Sequence, residues 1–380
     1  MILTKKQEMV QKSIREFCKN EILETDMAEK MDQENLQMPQ EFIDKLHRYK
    51  FSSPIVPLEY GGAGADYVSY AIIMEEISRA DASCGTYLTA GASLVALPLL
   101  HFGTEEQKQK YLRPLAEGTL VGAFGLTEPG AGSDAGATAT TAVLDGDDYI
   151  INGRKCWITN GPFCDFAVIT AITTKGRGTK GISTFIIETK WDGFSHGAHE
   201  NKMGIRGTRT SDLIFDNMRV PKENLLGELD HGFAVMMKTL EAGRIGVAAQ
   251  AVGVAQSALD EAVKYTKERV QFGKKLAKFQ NTQFTVADMA TKIEAARLLV
   301  HHAAQVKDNG GSPSIESSMA KYYAAEVANE VAYKALQLHG GYGYVKDYRI
   351  ERIFRDARIL PIYEGTSQVQ QIVIAGNIYK

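Results

Sequence analysis

The stretch Asp165-Phe-Ala-Val-Ile-Thr-Ala-Ile, at residues 165–172, indicates the architecture around which the rest of the chain is organised. It is short, apolar and rich in β-branched residues, a pattern typical of a buried strand. Stretches of the same texture lie at residues 147–153, 181–187 and 212–215, with turn residues between them and no long amphipathic helix. Residues 119–228 are therefore predicted to form an antiparallel β-domain rather than repeated βαβ units.

Helical patterns flank this β-domain on both sides. In residues 1–118, apolar side chains recur at helical spacing, as at Val10 and Ile14. In residues 229–380, no proline occurs before Pro313, and long segments carry apolar residues at the spacing of packed helices. The predicted fold class is α+β, with an N-terminal helical domain, a middle antiparallel β-domain and a C-terminal helix bundle.

Composition and charge argue against several classes of protein. The 380 residues exceed the usual size of one domain, and a formal net charge of -3 without a long Lys/Arg block argues against a nucleic-acid partner. Charges interrupt the apolar runs near the N-terminus, and the longest run elsewhere, near residues 94–100, is expected to be too short to span a bilayer. Four scattered cysteines without a C-x-x-C pair indicate a reduced, cytoplasmic setting, and no metal site is predicted.

Residues 130–135, Gly-Ala-Gly-Ser-Asp-Ala, match the spacing G-x-G-x-x-A of a dinucleotide-binding fingerprint. That fingerprint requires a strand before it and a helix after it, whereas Pro129 precedes this segment and a strand-like run, residues 138–143, follows it. A Rossmann site is therefore not expected. A tight loop rich in backbone N–H groups can still hold an anionic group or lie against a ring.

Trp157, Thr159 and Arg269 can each be interpreted in two ways, as structural residues or as residues that bind a ligand. Trp157 and Thr159 should share one face of a strand, where Trp157 either belongs to the core or lies beside a flat heteroaromatic ring. Arg269 is either a solvated helix residue or a bidentate ligand of a pyrophosphate. Each segment, taken alone, favours the structural interpretation.

Glycines and one carboxylate stand out near the end of the chain. Residues 337–344 contain a helix-ending glycine pair, and Gly343 adds a glycine beyond what a cap needs, which indicates close approach by a ligand or a second subunit. His339 in this segment is expected to be structural. Glu364 lies among small and apolar residues, where burial would raise its pKa toward that of a base acting near neutral pH. Its alternative is an ordinary exposed loop glutamate.

Six segments together resemble the acyl-CoA dehydrogenase family over essentially the whole chain, and most nearly its bacterial short-chain, butyryl-CoA-type members. They are residues 124–134, 155–161, 243–250, 269–273, 337–343 and 362–366. The resemblance implies a three-domain fold with a C-terminal four-helix domain, and an FAD between that domain and the β-domain. It also implies FAD sites shared between subunits of a homo-oligomer, usually a tetramer built from two dimers.

The resemblance assigns FAD contacts to several parts of the chain. The residues beside the flavin and its pyrophosphate would be Phe124, Leu126, Thr127, Gly132, Ser133, Trp157 and Thr159. The residues that reach the FAD of a neighbouring subunit would be Arg269, Gln271, Phe272, Gln337, Gly340 and Gly341. Thr366 and Gln368 would hold the ribose and phosphates, and Gln280 is a further expected contact.

The same resemblance implies a reaction. Glu364 would remove the α proton of an acyl-CoA while the β hydrogen leaves as hydride to the flavin, giving the trans-2-enoyl-CoA. The backbone N–H of Glu364 and a ribityl hydroxyl would stabilise the charge on the thioester oxygen, and an electron-transferring flavoprotein would receive the electrons. The substrate contacts would be Ser133, Glu241, Arg244, Tyr363 and Gly365.

Two other functions remain open. The same residues would serve an enoyl-CoA reductase acting on a crotonyl-, acryloyl- or aryl-acrylyl-CoA, because the base becomes the proton donor in reverse. A non-catalytic flavin-fold scaffold is the other alternative, and the presence of Glu364 argues against it.

Departures from the family pattern bear on the substrate. Some relatives carry the base at the position of Gly243, which cannot serve, so Glu364 is the expected base. Glu241 stands where the family usually has Asp, which leaves the pantetheine contact open. No arginine occurs between Asp81 and Leu100, which argues against a dicarboxylyl-CoA. Bulky candidates for the floor of the acyl pocket are Tyr87 and Leu94.

Overall fold

The computed structural model describes residues 2–380, so the first residue of the predicted N-terminal domain, Met1, lies outside the described residues. The α-helices are α1 Lys5–Cys18, α2 Met27–Gln33, α3 Gln40–Arg48, α4 Tyr67–Ala80, α5 Ala82–Thr89, α6 Ala96–Phe102, α7 Glu105–Gln107, α8 Arg113–Glu117, α9 Gly232–Glu268, α10 Gln280–Asp308, α11 Ser314–His339, α12 Arg349–Ala357 and α13 Ser367–Ile378. The strands are β1 Gly122–Gly125, β2 Thr141–Asp145, β3 Asp148–Thr159, β4 Phe166–Ile172, β5 Ile182–Glu188, β6 Phe194–His196, β7 Thr210–Pro221, β8 Leu225–Leu226, β9 Val270–Gln271 and β10 Lys274–Lys275.

The N-terminal helices pack around α4. Helix α1 begins with a capping box in which the Thr4 hydroxyl accepts from Gln7 N at 3.3 Å and the Gln7 side chain accepts from Thr4 N at 3.0 Å. Its apolar face, including Ile14 and Phe17, is buried in the same core as α4. Helix α4 is buried along almost its whole length because α1 covers one side of it and α9 another.

The continuous helix Ala82–Phe102 corrects one expectation. A π-helical turn, Ala90–Val95, joins α5 to α6, and the resulting 21-residue helix is by length and composition long and apolar enough to cross a membrane. The apolar run at residues 94–100 therefore belongs to a longer helix than the sequence indicated. Of its most apolar window, 83% is buried inside the protein, which accounts for its apolar character by core packing.

Strand β4 lies in the middle of the sheet and is buried on both faces, as the sequence predicted. The strand order is β6-β7-β3-β2-β4-β5-β8, and β1 pairs with β4. The ladders along this path are antiparallel except for a single parallel bridge between β2 and β4, but β1 also runs parallel to β4. The sheet is therefore mixed rather than purely antiparallel. Strands β1 and β4 are neighbours in the sheet, but along the chain the β2–β3 hairpin connects them, which allows them to run parallel.

The C-terminal region is the expected four-helix domain, formed by α9, α10, α11 and α13, with α12 packed against α11 and α9. Helix α9 also packs against α4, and glycines allow the two helices to approach closely. A Cβ at Gly246 would lie 2.2 Å from the Tyr70 hydroxyl, and a Cβ at Gly253 would lie 2.2 Å from the Glu75 carbonyl oxygen. Both helical regions consequently share one core.

All four cysteines are free thiols in buried positions. Burial raises the pKa of Cys18 and Cys84, and it raises the pKa of Cys164 to about 12. These thiols thus act as small apolar residues, as the composition indicated.

Candidate active site

Glu364 lies in the turn between α12 and α13, in a backbone conformation that is rare for a glutamate. Its φ is 50°, and Gly365 follows with a φ of 91°. A non-glycine residue in this left-handed region costs about 1–3 kcal/mol, so the surrounding structure must hold it there. The Gly365 carbonyl accepts from Lys321 Nζ at 2.6 Å and from Gln370 Nε2 at 2.9 Å, and these bonds fix the turn.

The Glu364 carboxylate occupies space that a missing side chain leaves open. A Cβ at Gly243 on α9 would lie 2.6 Å from Glu364 Oε2 and 3.2 Å from Leu94 Cδ2. Oε2 is buried and has no hydrogen-bond partner. Burial raises the pKa of Glu364 to about 7, against the opposing effect of the positive charges of Lys321 and Arg244. The carboxylate therefore has the properties of a base that is free to accept a proton near neutral pH.

Arg244 and Glu241, which the sequence assigned to the substrate, lie on α9 beside Gly243, the residue that leaves space for this carboxylate. Arg244 is buried, its Nη1 donates to Ser318 Oγ at 3.4 Å, and its Nε has no partner. Glu241 instead accepts from Lys238 Nζ at 2.8 Å and from Ser312 Oγ at 3.1 Å. The free Nε of Arg244 leaves a buried donor for a ligand, whereas Glu241 is held on the surface side.

A polar network that the sequence did not reveal lies around Tyr363. The Tyr363 hydroxyl donates to Gln250 Oε1. Gln250 is fully buried and its amide donates to Thr86 Oγ1 at 2.9 Å and to the Ala82 carbonyl at 3.0 Å. Gln250 was part of a family-like segment, but its contact with Tyr363 joins residues 113 positions apart and no local pattern predicts it.

The two candidates for the pocket floor lie in different places. Leu94 lies near Glu364, as the contacts of an added Cβ at Gly243 show. Tyr87 is buried and lines a separate cavity of about 20 Å³ together with His47 and Asn160. Of these two candidates, Leu94 is the one that shares a neighbour, Gly243, with the base.

Gly85, on α5, leaves no room for a larger side chain. A Cβ there would lie 2.1 Å from Ser78 Oγ and 3.4 Å from Gln250 Cγ. A larger side chain would displace α4 or α9.

The loop after β1 and strand β3 lie side by side. The Thr127 carbonyl accepts from Cys156 N at 2.9 Å, which places Leu126 and Thr127 next to the strand that carries Trp157 and Thr159. A bulge interrupts the register of β3 between Lys155 and Ile158. Trp157 has a φ of 62° and is 63% exposed, so the interpretation of this ring as core is wrong. The exposed ring is available for stacking.

A buried ion pair holds this loop. Lys155 is fully buried, and its Nζ lies 2.7 Å from Glu128 Oε1, 2.9 Å from Thr170 Oγ1 and 3.3 Å from the Leu126 carbonyl oxygen. Glu128 also accepts from Ala139 N at 2.6 Å. Gly132 and Ser133, farther along the loop, are exposed, and an added Cβ at Gly132 would meet no atom within 4 Å.

A groove of about 650 Å³ lies on the outside of the helix bundle. Its lining includes the predicted FAD contacts Arg269, Gln271, Gln337, Gly340 and Gly341. The predicted contacts Phe272 and Gln280 do not line it; Phe272 is 93% exposed. Among the described residues, the lining includes none of those around Glu364, so within one chain this groove and the base form separate sites. Thr366 caps α13 and Gln368 is exposed.

Aromatic rings pack against one another at the base of the groove. His339 stacks on Tyr265 with ring centroids 4.3 Å apart, and its Nδ1 lies 2.7 Å from the Ala335 carbonyl oxygen. The Arg269 guanidinium lies 5.1 Å from the centroid of the Tyr342 ring. His339 is thus a structural residue, as the sequence indicated, and Arg269 is oriented by a cation–π contact.

Comparisons with known proteins show the family of this chain. Family models for the N-terminal, middle and C-terminal domains of acyl-CoA dehydrogenases match residues 4–119, 123–218 and 230–379. The chain therefore belongs to the acyl-CoA dehydrogenase family.

Several relatives match over nearly their whole length. The chain is 51% identical to the caffeyl-CoA reductase-Etf complex subunit CarC of Acetobacterium woodii, with 100% of both chains covered. It is 52% identical to a 3-(aryl)acrylate reductase of Clostridium sporogenes, again over 100% of both chains. It is 50% identical to a short-chain specific acyl-CoA dehydrogenase of Clostridium acetobutylicum, over 100% of this chain and 99% of that one. The structure of butyryl-CoA dehydrogenase from Megasphaera elsdenii is similar with a TM-score of 0.96 at 43% identity, covering 100% of both chains.

Proposed function

We propose that this chain is an FAD-dependent enzyme that removes the α proton and the β hydride of a short-chain acyl-CoA, giving the trans-2-enoyl-CoA. The observation that carries the proposal is the Glu364 carboxylate, whose Oε2 is buried without a hydrogen-bond partner and whose pKa is raised to about 7. A carboxylate in this state is a competent base near neutral pH when an acidic carbon lies beside it.

Features of the chain fit an FAD. The loop around Gly130 and Gly132 leaves open space beside backbone N–H groups, and Trp157 presents an exposed ring. The groove lined by Arg269 offers a guanidinium for a pyrophosphate. When bound, FAD would accept the hydride from the β carbon and contribute a ribityl hydroxyl beside the thioester oxygen.

The protein's own groups would bind and orient the substrate. The α carbon of a thioester is a poor acid, so the developing enolate charge needs a hydrogen-bond donor, and the backbone N–H of Glu364 is our candidate. The buried Nε of Arg244 would donate to the substrate. We assign the remaining substrate contacts to Ser133, Glu241, Tyr363 and Gly365.

The assembly and location that we propose follow the same family pattern. The bundle groove, lying apart from Glu364, would complete the FAD site of a second copy in a homo-oligomer, a tetramer built from two dimers. We take residues 1–118, 119–228 and 229–380 as its three domains. The redox partner would be an electron-transferring flavoprotein, and the protein would be cytoplasmic.

A specific finding favours a second function, the reduction of an enoyl-CoA. Two relatives above 50% identity are a caffeyl-CoA reductase-Etf complex subunit and an aryl-acrylate reductase. A carboxyl group with a pKa of about 7 is populated in both protonation states near neutral pH. Glu364 can therefore return a proton to the α carbon as well as remove it.

The experiment that tests these functions uses the flavin spectrum of the purified protein. We expect oxidised flavin absorbance, and bleaching on addition of saturated thioesters from propionyl- to octanoyl-CoA or of phenylpropanoyl-CoA. Turnover in both directions with an electron-transferring flavoprotein would distinguish dehydrogenase from reductase. A purified protein without flavin absorbance would contradict the proposal and favour the scaffold interpretation.

A further inference from the structure

Lys321, on α11, is a fully buried lysine with an unusual environment. Its Nζ donates to the Gly365 carbonyl at 2.6 Å, and among the described residues it forms no salt bridge. The other fully buried lysine, Lys155, has the Glu128 carboxylate 2.7 Å away. Burying an ammonium group without a paired carboxylate is costly, so the position of Lys321 next to the catalytic turn calls for a functional explanation.

Hydrogen bonds to the backbone carbonyl groups of Glu364 and Gly365 hold the turn that Lys321 contacts. Glu364 and Gly365 both have positive φ, and the Gly365 carbonyl accepts from Lys321 and Gln370 together. Gln370 Nε2 also lies 3.3 Å from the Glu364 carbonyl oxygen. These donors come from α11 and α13, which hold the backbone of the turn. The Glu364 carboxylate extends the other way, toward Gly243 on α9.

The charged and titratable groups facing Glu364 come from several elements. Arg244 faces it from α9, Lys321 from α11 and the Tyr70 phenol from α4, and Tyr363 precedes it in the turn. Burial raises the pKa of Glu364, and Lys321 opposes that rise more than Arg244 does. Two further acidic groups lie near these cations. The negative charge of Glu326 favours the charged form of Lys321 and raises its pKa, and Glu241 does the same for Arg244.

We propose that Lys321 is a positioning residue for the reaction: its ammonium fixes the Gly365 carbonyl, next in the chain to Glu364, and places a positive charge near the Glu364 carboxylate, so that this carboxylate is held in place and can ionise inside the protein. The proposal rests on the proposed function of Glu364. Gln370 supports the same turn by a neutral hydrogen bond, which allows the effect of the charge to be separated from that of the geometry.

The test measures the ionisation of Glu364 without turnover, from the infrared carboxyl band that Glu364→Gln abolishes. Lys321→Met should move the midpoint of that band upward by about one pH unit or more, because a neighbouring positive charge lowers the pKa of a carboxyl by this amount. Gln370→Met should leave the midpoint unchanged. Both variants should slow flavin bleaching. Lys334→Met is the control, since Lys334 lies on the same helix and pairs with Asp288 at 2.7 Å instead.

If Lys321→Met fails to fold, Lys321→Gln replaces it, and Lys321→Arg should restore the wild-type midpoint. An unshifted midpoint in the neutral variants would overturn the proposal. Loss of folding in both neutral variants, with Lys334→Met still folded, would show a packing role and would overturn it as well. A wild-type protein that no acyl-CoA bleaches would contradict the proposed function instead, and the infrared midpoint would still report on Lys321.

Discussion

Gly243 and Glu364 occupy adjoining space: a Cβ on the first would lie 2.6 Å from Oε2 of the second. The two residues are 121 positions apart in the sequence. Helix α9 thus provides the cavity, and the turn before α13 provides the carboxylate that fills it. The missing side chain at Gly243 and the left-handed backbone at Glu364 are therefore both needed to place the carboxylate.

Replacing Gly243 with alanine should displace the base. A carboxylate oxygen cannot remain 2.6 Å from a methyl carbon, so the Glu364 carboxylate must move, and a misplacement of about 1 Å can reduce a rate on the order of 10²-fold. We expect flavin bleaching by an acyl-CoA to slow accordingly while the flavin content stays normal. Gly376→Ala is the control, because an added Cβ there meets no atom within 4 Å. Equal bleaching rates in both variants would show that the contact is unimportant.

The rates of acyl-CoA dehydrogenation and of enoyl-CoA reduction should depend on pH with opposite sign. Burial raises the pKa of Glu364 to about 7, and removal of an α proton requires the ionised form. Dehydrogenation should therefore speed up as the pH rises through about 7, whereas enoyl-CoA reduction, which requires the protonated form, should slow down over that range. Stopped-flow measurements of the first turnover check this. A flat profile in both directions would rule out Glu364 as the titrating group.

The buried pair Lys155–Glu128 should be needed for flavin retention. Removing one partner of a buried ion pair typically costs about 3–5 kcal/mol because the other charge is left without compensation. Lys155→Met should therefore lower the free energy of unfolding and release the loop that contains Leu126, with loss of flavin on gel filtration. Glu188→Gln is the control: it removes a buried carboxylate in the same sheet that accepts from Tyr111 at 2.7 Å. Full flavin retention in Lys155→Met would contradict the prediction that the loop containing Leu126 needs this ion pair to hold the flavin.

The bundle groove should serve a second copy of the chain. Arg269 lines the groove beside Tyr342, and a guanidinium is a bidentate donor of the kind that binds a pyrophosphate. Arg269→Ala should reduce flavin content or oligomer mass, as measured by light scattering with absorbance detection. Arg113→Ala, at an exposed helix pair with Glu117, should change neither. Unchanged flavin and mass in the Arg269 variant would count against a shared site.

The sequence predicted those features that depend on local patterns. The run Phe166–Ile172 indicated a buried strand, and it lies in the middle of the sheet because apolar residues on both faces require cover on both faces. The small and apolar neighbours of Glu364 indicated a raised pKa, and burial accounts for it.

Features that depend on tertiary contacts were not accessible from the sequence. The exposure of Trp157 results from a bulge between Lys155 and Ile158, which alternation along a strand does not reveal. The parallel pairing of β1 depends on chain topology. The contact of Lys321 with Gly365 joins residues 44 positions apart, and no local pattern marks it.

The most direct measurement is flavin bleaching in Glu364→Gln. This change keeps the size of the side chain and removes its ability to accept a proton, so a general-base contribution of about 10²-fold or more should be lost. We expect the purified variant to retain its flavin and to bind an acyl-CoA without bleaching. Full bleaching of the Glu364→Gln flavin at the wild-type rate would contradict the assignment of Glu364 as the base.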